Sequence, residues 1–339
     1  MAQEGLRGRG QGAVEPRGPA VSRVFLFFID GLGIGPADPG INPFLAAKLP
    51  TFDRLLGGRR PVLPAPEVIR APEAILVPTD ANLGVPGLPQ SATGQTALFS
   101  GVNAPALIGR HLNAYPNEAL RQVLKEKGLL RRAVDRGYPA TFINAFTHFY
   151  TDMVESGARK PSASTVTALG AGLALRTVDD LLAGRAVYHD VTNEWLIARG
   201  FDVPVIDPET AGRRAAAIAR DHKVAMFEHF LTDFAGHAQD LAEAVRILER
   251  IDAFLGAFLA DYPLGDSLAV ISSDHGNVED LSVKTHTRNP VPTIAIGAGR
   301  EAFAGRVTAI TDVTPALMDL LGGDQPVASI QTRGVQPTR

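Results

Sequence analysis

Short apolar runs recur along the chain, separated by stretches in which apolar residues return every three or four positions. The runs Val24–Ile29, Ala74–Val77, Ala140–Asn144, Val224–Phe230, Leu268–Ser272 and Thr293–Ile296 have strand length and little polar alternation. That is the pattern of strands covered on both faces. Helical spacing predicts helices over Leu45–Leu56, Thr96–Gly101, Asn117–Asp135, Val178–Ala183, Thr210–Arg220, Ala238–Leu259 and Thr314–Leu321. For the last of these, Asp312 is the expected N-cap, Pro315 falls in the first turn, and Gly322-Gly323 ends it. Strands alternating with helices predict an α/β fold with a mostly parallel central sheet and helices on both faces.

The pattern also sets expected boundaries. Residues 1–21, rich in Gly, Arg and Pro, read as a disordered tail. Residues 22–323 read as one large domain, with 175–208 a candidate small cap, and 324–339 as a C-terminal tail. The six-residue run ending at Asp30 is too short for a signal peptide. No stretch approaches the ~20 apolar residues of a membrane span. The expectation is a cytoplasmic protein without a membrane partner. The 33 Lys+Arg nearly balance 36 Asp+Glu, so nothing suggests bulk attraction to nucleic acid. With no cysteine among 339 residues, disulfides, thiolate metal sites and a Cys nucleophile are excluded.

Three predicted strands end in carboxylates: the first at Asp30-Gly31, the fourth just before Asp233, the fifth at Asp274-His275-Gly276. In open α/β sheets the functional crevice lies beyond the carboxyl ends of the strands. Three carboxylates delivered there would repel one another unless a cation sat among them, and a metal is the economical choice. Asp233 and His237 are four apart, on one face of a helix if the helix begins near Asp233. Adjacent Asp274 and His275 diverge at a strand end, which suits two ions rather than one. His286, just before the last strand, adds an imidazole. Ser91, in LPQSATGQTALFSG, follows a turn-rich stretch and precedes a helical pattern, placing its hydroxyl at a helix N-terminus that favours a phosphate-like anion. Thr93 competes for the same role.

These segments resemble the alkaline phosphatase superfamily, and within it the metal-binding core of cofactor-independent phosphoglycerate mutase, with phosphopentomutase as a relative. SSDHGNVED followed by HTRNPVPTI is the most specific piece, supported by LTDFAGH, FFIDGLGIG and TDVTPALMDLL. The resemblance implies that Asp233, His237 and His286 match the ligands of one metal. By the same likeness Asp30, Asp274, His275 and the nucleophile match those of the other. Ser91 stands three residues before Gly94, the family's spacing, which favours it over Thr93. The chain departs from the mutase in two ways. Only about 40 residues separate Gly101 from the next core strand, too few for the mutase's inserted substrate-binding domain, and Gly94-Gln95 stands where the mutase has Gly-His.

The implied activity is metal-dependent phosphoryl transfer on a small phosphorylated substrate: Ser91 attacks in line to give a phosphoserine, and water or a second hydroxyl removes the phosphoryl group. Hydrolysis is favoured, a phosphomutase is the alternative, and a metal-binding protein without turnover is a third reading. Mixed Asp/His ligation suits two ions of manganese or zinc, with magnesium less suited to imidazole. Arg110, His111, Lys284 and Arg288 neighbour the motifs and are candidate substrate contacts, and Lys160–Thr165 is a candidate rim of the site. A sulfatase is disfavoured because Ser91-Ala-Thr-Gly-Gln lacks its C/S-x-P-x-R setting. Gly31-Leu-Gly33-Ile-Gly35 lacks the spacing of a dinucleotide fingerprint.

Overall fold

Alternate residues of the central strands bury themselves on opposite sides of one sheet, which is why those strands read as continuous apolar runs. The computed structural model of the chain describes residues 21–321. Its strands are β1 (Arg23–Ile29), β2 (Ile69–Arg70), β3 (Ala74–Thr79), β4 (Ala140–Phe142), β5 (Ala145–Phe146), β6 (Arg176–Thr177), β7 (Val224–His229), β8 (Ser267–Ser272) and β9 (Val291–Gly297). Seven form one sheet in the order β2-β3-β9-β8-β1-β7-β4, and β5 pairs with β6 apart from it. β8, β1, β7 and β4 run parallel, while β9 is antiparallel to both β8 and β3.

Phe25, Phe27 and Ile29 of β1 pack with Phe227 and Ile271 against the helices Pro50–Leu55, Pro208–Arg220 and Leu241–Asp261. Val24, Leu26 and Phe28 pack with Met226 and Val270 under the helices Ser91–Ser100, Glu118–Lys127, Ala163–Gly170 and Val313–Leu320. The sheet is thus covered on both faces, as expected of α/β architecture. A small separate core of Ala145, Val178, Leu181, Tyr188, Leu196 and Val203 lies within and beside the segment 175–208. Among the described residues, no helix is long and apolar enough to cross a membrane.

Several expected elements are corrected. The helix expected over Leu45–Leu56 is two, Pro43–Ala46 and Pro50–Leu55, because Pro50 opens a new first turn. The helix expected over Asn117–Asp135 breaks at Gly128, whose extended backbone (φ −61°, ψ 150°) caps Glu118–Lys127 and starts Leu129–Asp135. The helix expected from Ala238 is likewise two, Leu231–Ala238 and Leu241–Asp261, the second capped by the Asp240 side chain. The helix expected from Thr96 begins at Ser91. Asp312 does not cap Val313–Leu320; its carboxylate accepts the backbone N–H groups of Thr308 and Ala309 and tightens the preceding 3₁₀ turn. Of the expected N-terminal tail, Val21 is buried and bridges Leu321, and residues 1–20 lie outside the described residues. Gly322-Gly323 and the expected C-terminal tail lie outside them too.

Candidate metal centre

Parallel pairing aligns the strand ends, so residues remote in sequence emerge together. Ile29 of β1 is level with His229 of β7, and Phe28 with Ser272 of β8. Asp30 follows directly, Asp274-His275 two residues past β8, and Asp233 in the first turn of Leu231–Ala238. The chain turns at Gly31 with φ 71°, and a Cβ there would lie 2.8 Å from Asp233 Oδ1. Only glycine lets β1 end so close to that carboxylate. Gly94 has a different reason: a Cβ there would lie 2.6 Å from the carbonyl oxygen of Asp274, so glycine seats the Ser91 helix against the end of β8.

Ser91 is the first residue of its helix, and its Oγ lies 3.1 Å from His275 Nε2. Thr93 is committed elsewhere: its hydroxyl donates to Gln90 O and accepts from the Leu112 N–H, and the residue is fully buried. Geometry therefore offers Ser91, not Thr93, to the strand-end cluster. His275 Nε2 lies 3.4 Å from Asp30 Oδ1 and 3.4 Å from Asp274 Oδ2. His286 Nε2 is 3.2 Å from His237 Nε2 and 3.5 Å from Asp233 Oδ1, and His237 Nε2 is 3.5 Å from Asp233 Oδ2. Two donor sets result, Asp233–His237–His286 and Asp30–Asp233–His275, each with its donor atoms within 4.8 Å of one another. Asp233 belongs to both.

Do these residues fit metal ions? The Nδ1 of His237 meets Lys284 O at 2.7 Å, and that of His286 meets Pro89 O at 2.8 Å. A ring that donates through Nδ1 presents a bare lone pair at Nε2, the tautomer a metal requires. Two such lone pairs 3.2 Å apart need a cation between them: a proton on one ring, or a metal in its place. Asp30 Oδ1 and Asp274 Oδ2 are buried without a hydrogen-bond partner among the described residues. Orphaned carboxylate oxygens beside facing imidazoles are a donor set that divalent cations satisfy.

The electrostatics agree. Burial, then the charges of Asp274 and Asp233, hold Asp30 well above the usual carboxylate range. Burial and the Asp233 charge push Asp274 up to about 7. Burial also acts to raise Asp233, but the His286 hydrogen bond, the His275 charge and the Asn277 amide overcome it and hold it at about 2. His275 is pulled down to about 3 by burial and by His286. His286 is raised despite its burial, chiefly by Asp233. One carboxylate is ionised and two resist ionisation, the signature of a cluster short of positive charge.

Other residues hold the donors in place. Gln95 Nε2 donates to Asp30 Oδ2 at 3.0 Å, and Asn277 Nδ2 donates to Asp233 Oδ1 at 2.6 Å. The buried Glu279 carboxylate accepts from the N–H groups of Gly33 and Asn277, the Thr287 hydroxyl and the Asn289 amide, tying the DHGN turn to the loop that carries His286. Sequence reasoning assigned no role to Asn277 or Glu279; the only signal was their place in SSDHGNVED. Gly33, once a weak dinucleotide cue, serves this packing: its N–H is 3.0 Å from Glu279 Oε2.

Arg110, Lys284 and Arg288 are exposed, and none bonds to the donor cluster among the described residues. Lys284 contributes its carbonyl to His237, and Arg288 its carbonyl to Asn82. His111 lies 3.2 Å from Val85 O, its pKa lowered mainly by partial burial. These four candidates surround the motifs without joining the cluster. In the expected rim, Ser162 caps Ala163–Gly170, and Ser164 reaches the buried Glu228 of β7.

Residues 210–325 match a family model described as the Metalloenzyme superfamily. The chain is 33% identical over 126 residues to the 2,3-bisphosphoglycerate-independent phosphoglycerate mutase of Paracoccus denitrificans, covering 35% of this chain and 25% of that protein. Against the enzyme of the same name from Halobacterium salinarum, identity is 27% over 223 residues, covering 57% and 44%. The chain thus spans a quarter to under half of these relatives. The PH0037 protein of Pyrococcus horikoshii superposes with a TM-score of 0.56 at 17% identity, covering 91% of this chain and 99% of that one. The zinc complex of the C-terminal periplasmic domain of EcEptC from Escherichia coli gives 0.50 at 11% identity, covering 91% and 84%. These two share the fold.

Proposed function

We propose that this chain, which carries the metal-dependent phosphoryl-transfer core of the alkaline phosphatase superfamily, is a phosphoester hydrolase working through a phosphoserine on Ser91. The observation that carries this reading is the Ser91 hydroxyl, buried at a helix N-terminus 3.1 Å from His275 and facing two sets of convergent Asp and His donors. Asp233, His237 and His286 would hold one divalent ion, and Asp30, Asp274 and His275 with Ser91 the second; Asp233 lies close enough to serve both. Bound there, manganese or zinc ions would supply positive charge to the phosphoryl oxygens and lower the pKa of the attacking hydroxyl.

The chain's own part is position and timing. The N-terminus of Ser91–Ser100 favours the phosphoryl anion in front of Ser91. Ser91 Oγ bonds to phosphorus while the ester oxygen leaves with the electron pair of its bond. A water then attacks phosphorus, phosphate departs, and the serine hydroxyl is restored. Gln95, Asn277 and Glu279 keep Asp30, Asp233 and the DHGN turn from collapsing onto one another.

Hydrolysis is preferred to mutase chemistry because a mutase must keep its substrate while the phosphoryl group waits on serine. Between Ser100 and β4 the described chain forms only three short helices, two of them, Glu118–Lys127 and Leu129–Asp135, packed on the sheet, and no second domain to hold that substrate. The names of the matched relatives favour the mutase as the second reading. The test is incubation with phosphomonoesters, phosphodiesters and phosphoglycerates in Mn²⁺ or Zn²⁺, with acid quenching to trap phosphoserine. Phosphate release that disappears in Ser91→Ala, with metal binding intact, is the expected result. Isomerisation without phosphate release would transfer the chain to the mutase reading, and metal binding without any turnover would refute both.

A further inference from the structure

Glu228 is a carboxylic side chain on a central strand, 6% exposed, that no step above uses. Its backbone is pinned to Asn144 by two hydrogen bonds of 2.8 Å, so its position is fixed. It projects on the same side of the sheet as Asp30, and its charge is among those that raise Asp30, after burial, Asp274 and Asp233. The other elements on that side present no further ionisable group to it: Ser91–Ser100 contains none, Ala163–Gly170 offers Ser164, and the loop after β4 offers Asn144.

Glu228 is not isolated from solvent. Ser164 Oγ lies 2.6 Å from Glu228 Oε2, Ser162 Oγ 3.0 Å from Ser164 Oγ, Thr165 Oγ1 2.9 Å from Ser162 Oγ, and Tyr150 Oη 3.0 Å from Thr165 Oγ1. Ser164 and Thr165 are fully buried, while Ser162 and Tyr150 are partly exposed. The Tyr150 ring is stacked on Phe146 and lies 5.2 Å from the Arg159 guanidinium, which keeps its hydroxyl aimed inward. Every link is a hydroxyl, able to donate one hydrogen bond while accepting another. The chain can therefore align in one direction throughout.

We propose that the hydroxyls of Tyr150, Thr165, Ser162 and Ser164 form a proton path between solvent and Glu228, making Glu228 a proton store beside Asp30. In the inward direction Ser164 gives its proton to Glu228 Oε2 as it takes one from Ser162. Ser162 takes one from Thr165, Thr165 from Tyr150, and Tyr150 from water. Each oxygen regains the hydrogen it lost, and the net change is one proton moved from solvent onto the carboxylate. Burial raises Glu228 to about 7 against the opposing Ser164 hydrogen bond, so the store changes charge in the neutral range. Any effect on turnover rests on the phosphoryl-transfer reading; the path itself does not.

The test is a pH jump across neutrality on the full chain as purified, followed by the infrared band of a protonated carboxyl that Glu228→Gln lacks. The wild-type band follows the jump. In Thr165→Val, which keeps the side-chain shape and removes one link, the same end point is reached roughly tenfold more slowly. Tyr150→Phe, at the partly exposed outer end, slows it as well, and decides the matter if Thr165→Val does not fold. Equal rates in wild type and the folded variants, or the absence of a Glu228-dependent band across the neutral range, would overturn the path. Loss of phosphate release with the path intact bears only on the proposed function.

Discussion

Asp274→Asn should make the metal-free protein more stable at neutral pH, although it deletes a metal donor. Asp274 is fully buried and raised from 3.8 to about 7, first by burial and then by Asp233. A carboxyl whose folded pKa exceeds its unfolded value contributes stability that is complete below the unfolded pKa and is lost as pH rises through the folded one. The window therefore runs from about pH 4 to about pH 7, and its full depth is about 4 kcal/mol. His275, pulled down to about 3, gains stability over much of the same window, so the wild-type curve alone conceals the effect. The difference between variant and wild type isolates it. Asparagine keeps a carbonyl for the Gly31 N–H, which lies 3.4 Å from Asp274 Oδ1, and its neutrality also relieves Asp30. Urea unfolding in chelator, followed by circular dichroism at several pH values, should show the variant gaining on wild type as pH rises, approaching that limit above pH 7. In saturating Mn²⁺ or Zn²⁺ the order should reverse, because a ligand is gone. Stability differences in chelator that do not change with pH would refute the reasoning.

Three further outcomes follow from the same geometry. His237→Ala and His286→Ala each remove an Nε2 donor from one set and should weaken the tighter or the weaker step of a calorimetric metal titration; unchanged titrations in both would contradict the donor assignment. Asn277→Ala removes the amide that donates to Asp233 Oδ1 and should lower metal affinity by about 10- to 100-fold, read by competition with a chelating dye. Phe254→Ala, deep in the aromatic cluster with Phe27 and Phe227, should cost about 3–5 kcal/mol in denaturant unfolding without changing the number of metal ions bound.

The strands and the polar residues that end them were readable because burial on both faces leaves a simple trace, an unbroken apolar run stopped by a carboxylate. Helix limits were less readable. Apolar periodicity continues across Gly128 and the Leu49-Pro50 junction, so two helices look like one, and the small polar SATGQT segment looks like a turn although it is the first half of a helix. Composition and local pattern thus determined the α/β class, the carboxyl-end location of the chemistry, and the residue types able to bind a cation. Only the tertiary structure decided that Ser91 rather than Thr93 meets His275, 184 residues away, that Asp233 lies within reach of both donor sets, and that Glu279 and Asn277 hold the cluster together. The physical reason is that hydrogen bonds and charge coupling act across a few ångströms of space, and strand register, set by residues far from the site, brings those groups within that range.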